Sequence, residues 1–593
     1  MHRLGQKESA NCTYISSIRR NLVIRHCFSS NFQTRLPTIM PSKQLSVIQA
    51  MPLKSGSPAY EAFRTSMLQE FGSNVPQELR LPQPLIDNPP KDVTGIPSSC
   101  GILSNEELEI TENYDATSLA AAIASRKFTA VAVVTAFSKR AIIAHQLTCC
   151  LTQWFMEEAV QAAQLLDNYL TETGKTVGPL HGVPISIKEH MPIKNQWSSV
   201  GFLATRRLDK EDCQMTAILR QAGAIFYCKT NQPQAIMHLE TTSPWGRTLN
   251  PLNINLSAGG STGGEAALIA LRGSVLGVGT DIGGSVRGPA GFCGIYGLKT
   301  TSYLFPQRDF LPGGFAAELN ILCSAGPMCT TLRDVDLLMS VISNTCPWLK
   351  DPRLIPIPWN SYSAEKKSLK IGIMMTDGVI TPQPPVMRAL KWALSELRSK
   401  GFDVKTFQPY QTEEAMKNIR LAYWPDGGKA VKGYLEAKQE PMHDLTQWII
   451  KDAEGPGLDT SGILKLRVAR DDFRCRFAEH WESQDVDFVI CPVFVGPACS
   501  HETAFYWNYT AFWNYVDYPG IVIPTPVKAG AKGSEDYPAD SVLLSKDEEH
   551  VRMLWSTGDF EGAPINLQIV ARKYHDNDLF AAATEIDKAI NHR

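Results

Sequence analysis

Apolar and polar residues alternate along this chain with two periods, one near 3.6 and one near 2, and together they predict a mixed α/β protein. Helical spacing dominates the first third. A short helix is predicted over Ala59 to Phe71, and a second over Leu119 to Arg126 with Thr117 or Ser118 as its cap. Thr129 caps a longer one from Ala130 to about Leu147, and Trp154 to Leu170 forms another that stops before Gly174. Prolines 82, 84, 89 and 90 break the link between the first two helices. Val183 to Lys188 then reads as a strand leading into a core. A helix at Met215 to Ala222 feeds a strand at Ala224 to Cys228. That strand ends at Lys229-Thr230-Asn231, where ligand-facing loops gather. Further on, Leu369 to Met375, a helix from Pro385 and Asp403 to Phe407 form a strand–helix–strand unit, with Gly401 stopping the helix. Residues 410–480 are mostly helical. Phe488 to Cys491 and Ile521 to Ile523 are core strands, and a helix from Leu579 ends the chain. No internal repeat is present.

Composition narrows the functional classes. The 593 residues carry a formal net charge of −2, which gives no electrostatic footprint for nucleic acid. No apolar run reaches the roughly 18 residues of a membrane span, so no transmembrane segment is expected. The 14 cysteines include no C-x-x-C pair and read as reduced thiols, with adjacent Cys149 and Cys150 as small buried hydrophobes. A cytoplasmic protein is therefore expected. Residues 1–53 change that picture, because Glu8 is their only acid against seven Arg and Lys residues. That is the composition of a mitochondrial transit peptide, and the rival reading is a start at Met40 or Met51. The segment is expected to be disordered or not native, and to carry no catalytic chemistry.

Candidate chemistry concentrates in Ser257 to Thr300. Two glycine-flanked hydroxyl clusters lie there, Gly259-Gly260-Ser261-Thr262-Gly263-Gly264 and Asp281-Ile282-Gly283-Gly284-Ser285-Val286-Arg287. Glycine lets backbone amides approach a reacting atom closely, and a serine after two glycines can sit beside a row of free N–H groups. An apolar helix at Glu265 to Leu271 separates the clusters. The second cluster lacks the closing glycine of G-x-S-x-G, and neither a phosphate-binding loop nor a dinucleotide fingerprint is present. Lysine can activate a serine where burial leaves it neutral, and Lys188 stands at the end of its predicted strand within Gly178-Pro179-Leu180-His181-Gly182-Val183-Pro184-Ile185-Ser186-Ile187-Lys188.

These three motifs, in this order, resemble the amidase signature family of serine hydrolases, and the 24-residue spacing of Ser261 and Ser285 is the family's own. The resemblance runs from about Ile96 to Ile590 and is nearest to the fungal acetamidase-type group. It implies an α/β fold whose central, mostly parallel, twisted mixed sheet is covered by helices on both faces. It also implies an N-terminal helical arm and linker (54–130), a catalytic domain (131–593) and, where the match weakens, a substrate-facing insertion (410–480).

As to function, the resemblance implies hydrolysis of a monocarboxylic acid amide to carboxylate and ammonia or amine through an acyl-enzyme, with no cofactor and no metal. Ser285 is the implied nucleophile, Lys188 the base, and Ser261, after a cis peptide bond, the relay between them. The amides of Ile282, Gly283, Gly284 and Ser285 are the implied oxyanion hole. Ile236, by its place after Lys229-Thr230-Asn231, is expected to line the pocket, and Ser324 to Met328 to close one wall. Thr262 stands where the family usually has serine. Asp281 and Arg287 read as a structural pair, and His181 and His190 as core or supporting residues. Phe505 to Tyr518 holds eight aromatic residues, which either wall an acyl pocket or pack as a core helix. Fatty-acid or indole-acetamide hydrolysis and the ammonia-passing amidotransferase role are alternatives within the family, and a catalytically silent binding protein is one outside it. The expected partner is a small amide, and the assembly is left open, a homodimer included.

Overall fold

The structure is a computed structural model that describes residues 44–311, 320–360 and 369–591. The expectation for residues 1–53 therefore lies outside the described residues over its first 43 positions. Its last ten residues correct the boundary. Leu45 and Ile48 are buried, and the Ile48 N–H donates to the Gln146 carbonyl, so this stretch belongs to the domain and not to the extension.

Eleven strands form one sheet: β1 (Leu151–Trp154), β2 (Pro184–Lys188), β3 (Ile225–Thr230), β4 (Leu276–Asp281), β5 (Tyr296–Lys299), β6 (Ser324–Cys329), β7 (Lys370–Ile373), β8 (Asp403–Thr406), β9 (Phe488–Pro492), β10 (Gly520–Ile523) and β11 (Leu567–Ala571). Their spatial order is β1-β3-β2-β4-β6-β5-β10-β11-β9-β7-β8. Helices flank it, so the α/β class holds. The parallel majority does not: four of the ten pairings are parallel and six are antiparallel. Parallel neighbours need a crossover. Helices Gln214–Gln221 and Pro384–Ser399 supply it for β2/β3 and β7/β8. In the centre, β6 inserts between β4 and β5 and runs antiparallel to both.

Local chemistry sets the helix ends. Thr129 caps Ala130–Thr148 as expected, its side chain accepting from the Ala132 N–H. The preceding helix, Ala116–Ala124, is capped instead by Asp115, whose carboxylate takes the Ser118 N–H while Ser118 Oγ bonds back to the Asp115 N–H. Ser118 is thus the inner member of a reciprocal cap, a place a hydroxyl fills as well as it fills the cap itself. The proline link contains a short helix, Gln83–Asp87, because Pro84 falls in its first turn, where no N–H is needed. Helix Met156–Thr173 starts later than the periodicity suggests, since Leu151–Trp154 joins the sheet edge.

Residues 410–480 hold Thr412–Tyr423, Lys429–Lys438, Asp444–Ile450 and the start of Thr460–Ser483. The last packs Phe473, Phe477 and Trp481 against Phe512, Trp513, Tyr515 and Tyr518 in a continuous aromatic core. That places most of the aromatic stretch in the core, with helix Asn508–Tyr515 buried along its whole length and Phe505 and Tyr506 half-buried before it. Among the described residues no helix is long and apolar enough to cross a membrane, and every cysteine is a free thiol.

Candidate active site

The site forms where β2 and β4 end side by side. They are parallel, with Val278 opposite Ile187, so Lys188 at the end of β2 comes level with Gly279, one residue before Thr280 on β4. Carboxyl ends of neighbouring parallel strands are where open α/β sheets place ligands. The first glycine cluster leads into helix Gly263–Ala270, and the second follows β4 directly. The Thr262 N–H donates to the Ser285 carbonyl (3.1 Å), which ties the two clusters together.

Lys188 is fully buried. Its Nζ donates to three hydroxyls, Ser261 Oγ (2.7 Å), Thr262 Oγ1 (2.9 Å) and Thr280 Oγ1 (3.2 Å). Removal from water disfavours the ammonium and brings the Lys188 pKa down to about 7, although neighbouring carboxylates oppose the shift. The Gly260–Ser261 peptide is cis. Thr262 keeps the hydroxyl of the serine it replaces, and its methyl group lies over Gly279, where a Cβ would come within 2.8 Å. Ser285 faces a cavity of about 300 Å³ that Ser261, Thr280 and Ile282 also line. The Ser285 hydroxyl has no hydrogen-bond partner among the described residues.

Asp281 organises the loop below Ser285. Arg287 forks onto it (Nε to Oδ2 3.0 Å, Nη2 to Oδ1 3.0 Å), and the Asn514 Nδ2 adds a 2.9 Å bond. Burial alone would raise the Asp281 pKa, but the Arg287 guanidinium holds it well below the usual carboxylate range. The pair is structural, as the sequence suggests. It also corrects one expectation, because the Gly284 N–H donates to Asp281 Oδ1 (2.8 Å) and is not free for an oxyanion. Of the expected donors, Ile282, Gly283 and Ser285 keep N–H groups without a partner among the described residues.

Two supporting residues complete the buried layer. His190 faces the cavity, with Nδ1 on Gln232 Oε1 (2.9 Å) and Nε2 3.5 Å from Thr280 Oγ1. Burial, and then Lys188, push its pKa far down, so it is neutral. Glu265 receives Ser186 Oγ and Thr230 Oγ1 and lies against Gly277, and burial raises its pKa to about 7. His181 lies away from this group, accepting from the Val177 N–H.

Ile236 lines the cavity together with Ala235 and Met237. The rest of its wall comes from Tyr303, Phe305, Phe310, Leu311, Leu322, Cys323 and Leu354, with Gln307, Asp309, Asp351 and Arg353 as polar members. The wall expected from Ser324 to Met328 is instead the central strand β6. None of the wall residues on 303–311, 322–323 and 351–354 is marked by a motif. No described residue of 410–480 or of Phe505 to Tyr518 lines the cavity. The insertion reaches the site indirectly, through Tyr423 Oη, which donates to the Ile282 carbonyl (2.6 Å).

A buried amine bonded to the Ser261 and Thr262 hydroxyls, beside a serine that faces a cavity, is an arrangement a serine hydrolase can use. Comparison with known proteins gives it a family. The Amidase family model matches residues 132–580, and the chain belongs to the amidase signature family. It is 42% identical over 523 residues to a Schizosaccharomyces pombe relative, covering 85% of this chain and 96% of that one. It is 32% identical to the acetamidase of Aspergillus oryzae over 90% of this chain and all of that one. Among solved structures, a fatty acid amide hydrolase superposes with a TM-score of 0.84 at 32% identity, covering 91% of this chain and 95% of that one. The family is hydrolytic and its named fungal members are amidases, so this chain is an amidase-class enzyme.

Proposed function

We propose that the enzyme hydrolyses a monocarboxylic acid amide to the acid and ammonia by way of an ester on Ser285. The observation that carries this reading is the Lys188 amine, fully buried, brought down to about 7, and 2.7 Å from Ser261 Oγ. In its neutral form it accepts the Ser261 proton as Ser261 accepts that of Ser285. Ser285 Oγ then attacks the amide carbon, and negative charge collects on the carbonyl oxygen beside the free amides of the Ile282 to Ser285 loop. Collapse breaks the C–N bond, and Ser261 returns the proton to the departing nitrogen. Water, activated by the same relay, cleaves the ester and releases the carboxylate.

The apolar wall of Phe305, Phe310, Leu311, Leu322 and Leu354 favours an acyl group larger than acetyl. The fatty acid amide hydrolase likeness supports the same preference, while the acetamidase relative supports a smaller substrate. Labelling with a fluorophosphonate probe and intact-mass analysis tests the chemistry. A single adduct on the wild type that disappears in Ser285→Ala is expected, and a folded wild type that takes no label would sink the reading. Ammonia release from acetamide, hexanamide, dodecanamide and indole-acetamide then ranks the acyl groups, with hexanamide expected ahead of acetamide.

A further inference from the structure

Two carbonyls of the loop that carries Ser285, those of Ile282 and Gly283, are each met by a hydroxyl from a distant helix. Tyr423 Oη, on helix Thr412–Tyr423, donates to the Ile282 carbonyl at 2.6 Å. Thr510 Oγ1, on helix Asn508–Tyr515, lies 2.8 Å from the Gly283 carbonyl. A trans peptide is planar and points its N–H opposite to its C=O. The carbonyl of Ile282 and the N–H of Gly283 belong to one such plane. Fixing the carbonyl toward Tyr423 therefore turns the Gly283 N–H the other way, away from the helical insertion.

The next plane is fixed at both ends. Its carbonyl, from Gly283, is on Thr510, and its N–H, from Gly284, is on Asp281. Loop and helices are also fitted to each other sterically. A Cβ on Gly283 would come within 2.8 Å of the Trp507 ring and 2.9 Å of Tyr423 Oη, and one on Gly284 within 2.2 Å of Thr510 Oγ1. Tyr423 is itself held by its ring, stacked on Trp507 with the centroids 6.0 Å apart. Burial raises the Tyr423 pKa well above its ordinary value, so the phenol remains a donor across the working pH range.

From this arrangement we infer that Tyr423 and Thr510 are positioning residues of the oxyanion hole: Tyr423 turns the Gly283 N–H toward the carbonyl oxygen of the amide, and Thr510 fixes the following peptide, so that the turn cannot relax. Neither touches the substrate cavity, so their effect falls on the transition state and not on substrate binding. The inference rests on the acyl-transfer reading of Ser285 and names what aligns its electrostatic support. It also gives the helical insertion a role in the reaction without a place in the pocket wall.

The experiment compares wild type, Tyr423→Phe, Thr510→Val and Thr510→Ser by the second-order rate at which a fluorophosphonate labels Ser285. Reaction at phosphorus develops charge on an oxygen just as acyl transfer does. Tyr423→Phe keeps the ring and its stack on Trp507, Thr510→Val keeps the shape, and Thr510→Ser keeps the hydroxyl. Tyr423→Phe and Thr510→Val are expected to label about tenfold or more slowly, since loss of a whole oxyanion donor costs about a hundredfold or more. Thr510→Ser should recover most of the rate. On the most active amide of the panel, kcat should fall while KM stays within about twofold. The inflection of the pH profile should not move, because Lys188 is untouched.

Thermal midpoints accompany each rate. Should Tyr423→Phe unfold, the Thr510→Val and Thr510→Ser pair decides alone. Rates within twofold of wild type in folded Tyr423→Phe and Thr510→Val would overturn the inference, as would a rise in KM at constant kcat. An unlabelled wild type would instead remove the acyl-transfer reading beneath it, so the two failures are distinguishable.

Discussion

At the scale of single residues, the proposed chemistry turns on one amine kept away from water. An exposed lysine is an ammonium at neutral pH and cannot take a proton from serine. Lys188 has no solvent contact and only hydroxyl partners, so the neutral form gains and its pKa falls to about 7. The sign of the pH dependence follows. In the proposed mechanism the unprotonated form is the base, so activity should climb with pH by up to tenfold per unit below 7 and level off above it. A lysine at its ordinary value would push that rise beyond pH 9. The labelling rate of Ser285 between pH 5.5 and 9.5 checks this, and a rate still climbing at pH 9 would refute it. Lys188→Arg should lower the rate by about a thousandfold or more at every pH, because a guanidinium has no accessible neutral form.

At the scale of elements, glycines decide how closely the layers approach, and side chains that look unremarkable in the sequence become necessary. Gly326 on β6 shows it most sharply. A Cβ there would stand 1.8 Å from the Leu298 carbonyl of the neighbouring β5, a backbone atom that cannot swing aside. Gly326→Ala is expected to destabilise the centre of the sheet by about 1–3 kcal/mol or more, seen as a lower thermal midpoint or as loss of soluble protein. An unchanged midpoint would show that β5 and β6 can part at no cost. The same scale explains what was legible from sequence. Lys188, Ser261 and Ser285 each sit in a short local pattern, because a glycine loop or strand end must have that composition to exist. Glu265 lay unnoticed in an apolar helix, since its partners Ser186 and Thr230 come from two other strands. Tyr423 meets Ile282 across 141 residues, and periodicity carries no trace of such a contact. The antiparallel centre was missed for a related reason: a strand's run of apolar residues records its burial and not the direction of its neighbours.

At the scale of the whole molecule, the catalytic layer is enclosed by segments that begin and end far from it. Asp576, at the start of the last helix, takes both the N–H and the hydroxyl of Thr301, and Asp587 takes the Tyr296 hydroxyl. At the other end, residues 44–53 reach the C-terminal end of the helix Ala130–Thr148, with Leu45 and Ile48 buried and the Ile48 N–H on Gln146. Composition placed these ten residues with the basic extension because they follow it without a break and are too few to show a period of their own. Their burial predicts a boundary that can be measured. A chain beginning at Lys43 should melt higher than one beginning at Lys54, because the second exposes the apolar surface under Leu45 and Ile48. Each such side chain contributes about 1.5–3 kcal/mol when buried, so the combined difference should be on the order of 3 kcal/mol. The site is remote in the chain from this segment, and the catalytic rate of whatever fraction remains folded should be the same in both forms. Equal midpoints for the two truncations would place residues 44–53 outside the stabilising core and return the boundary to residue 53.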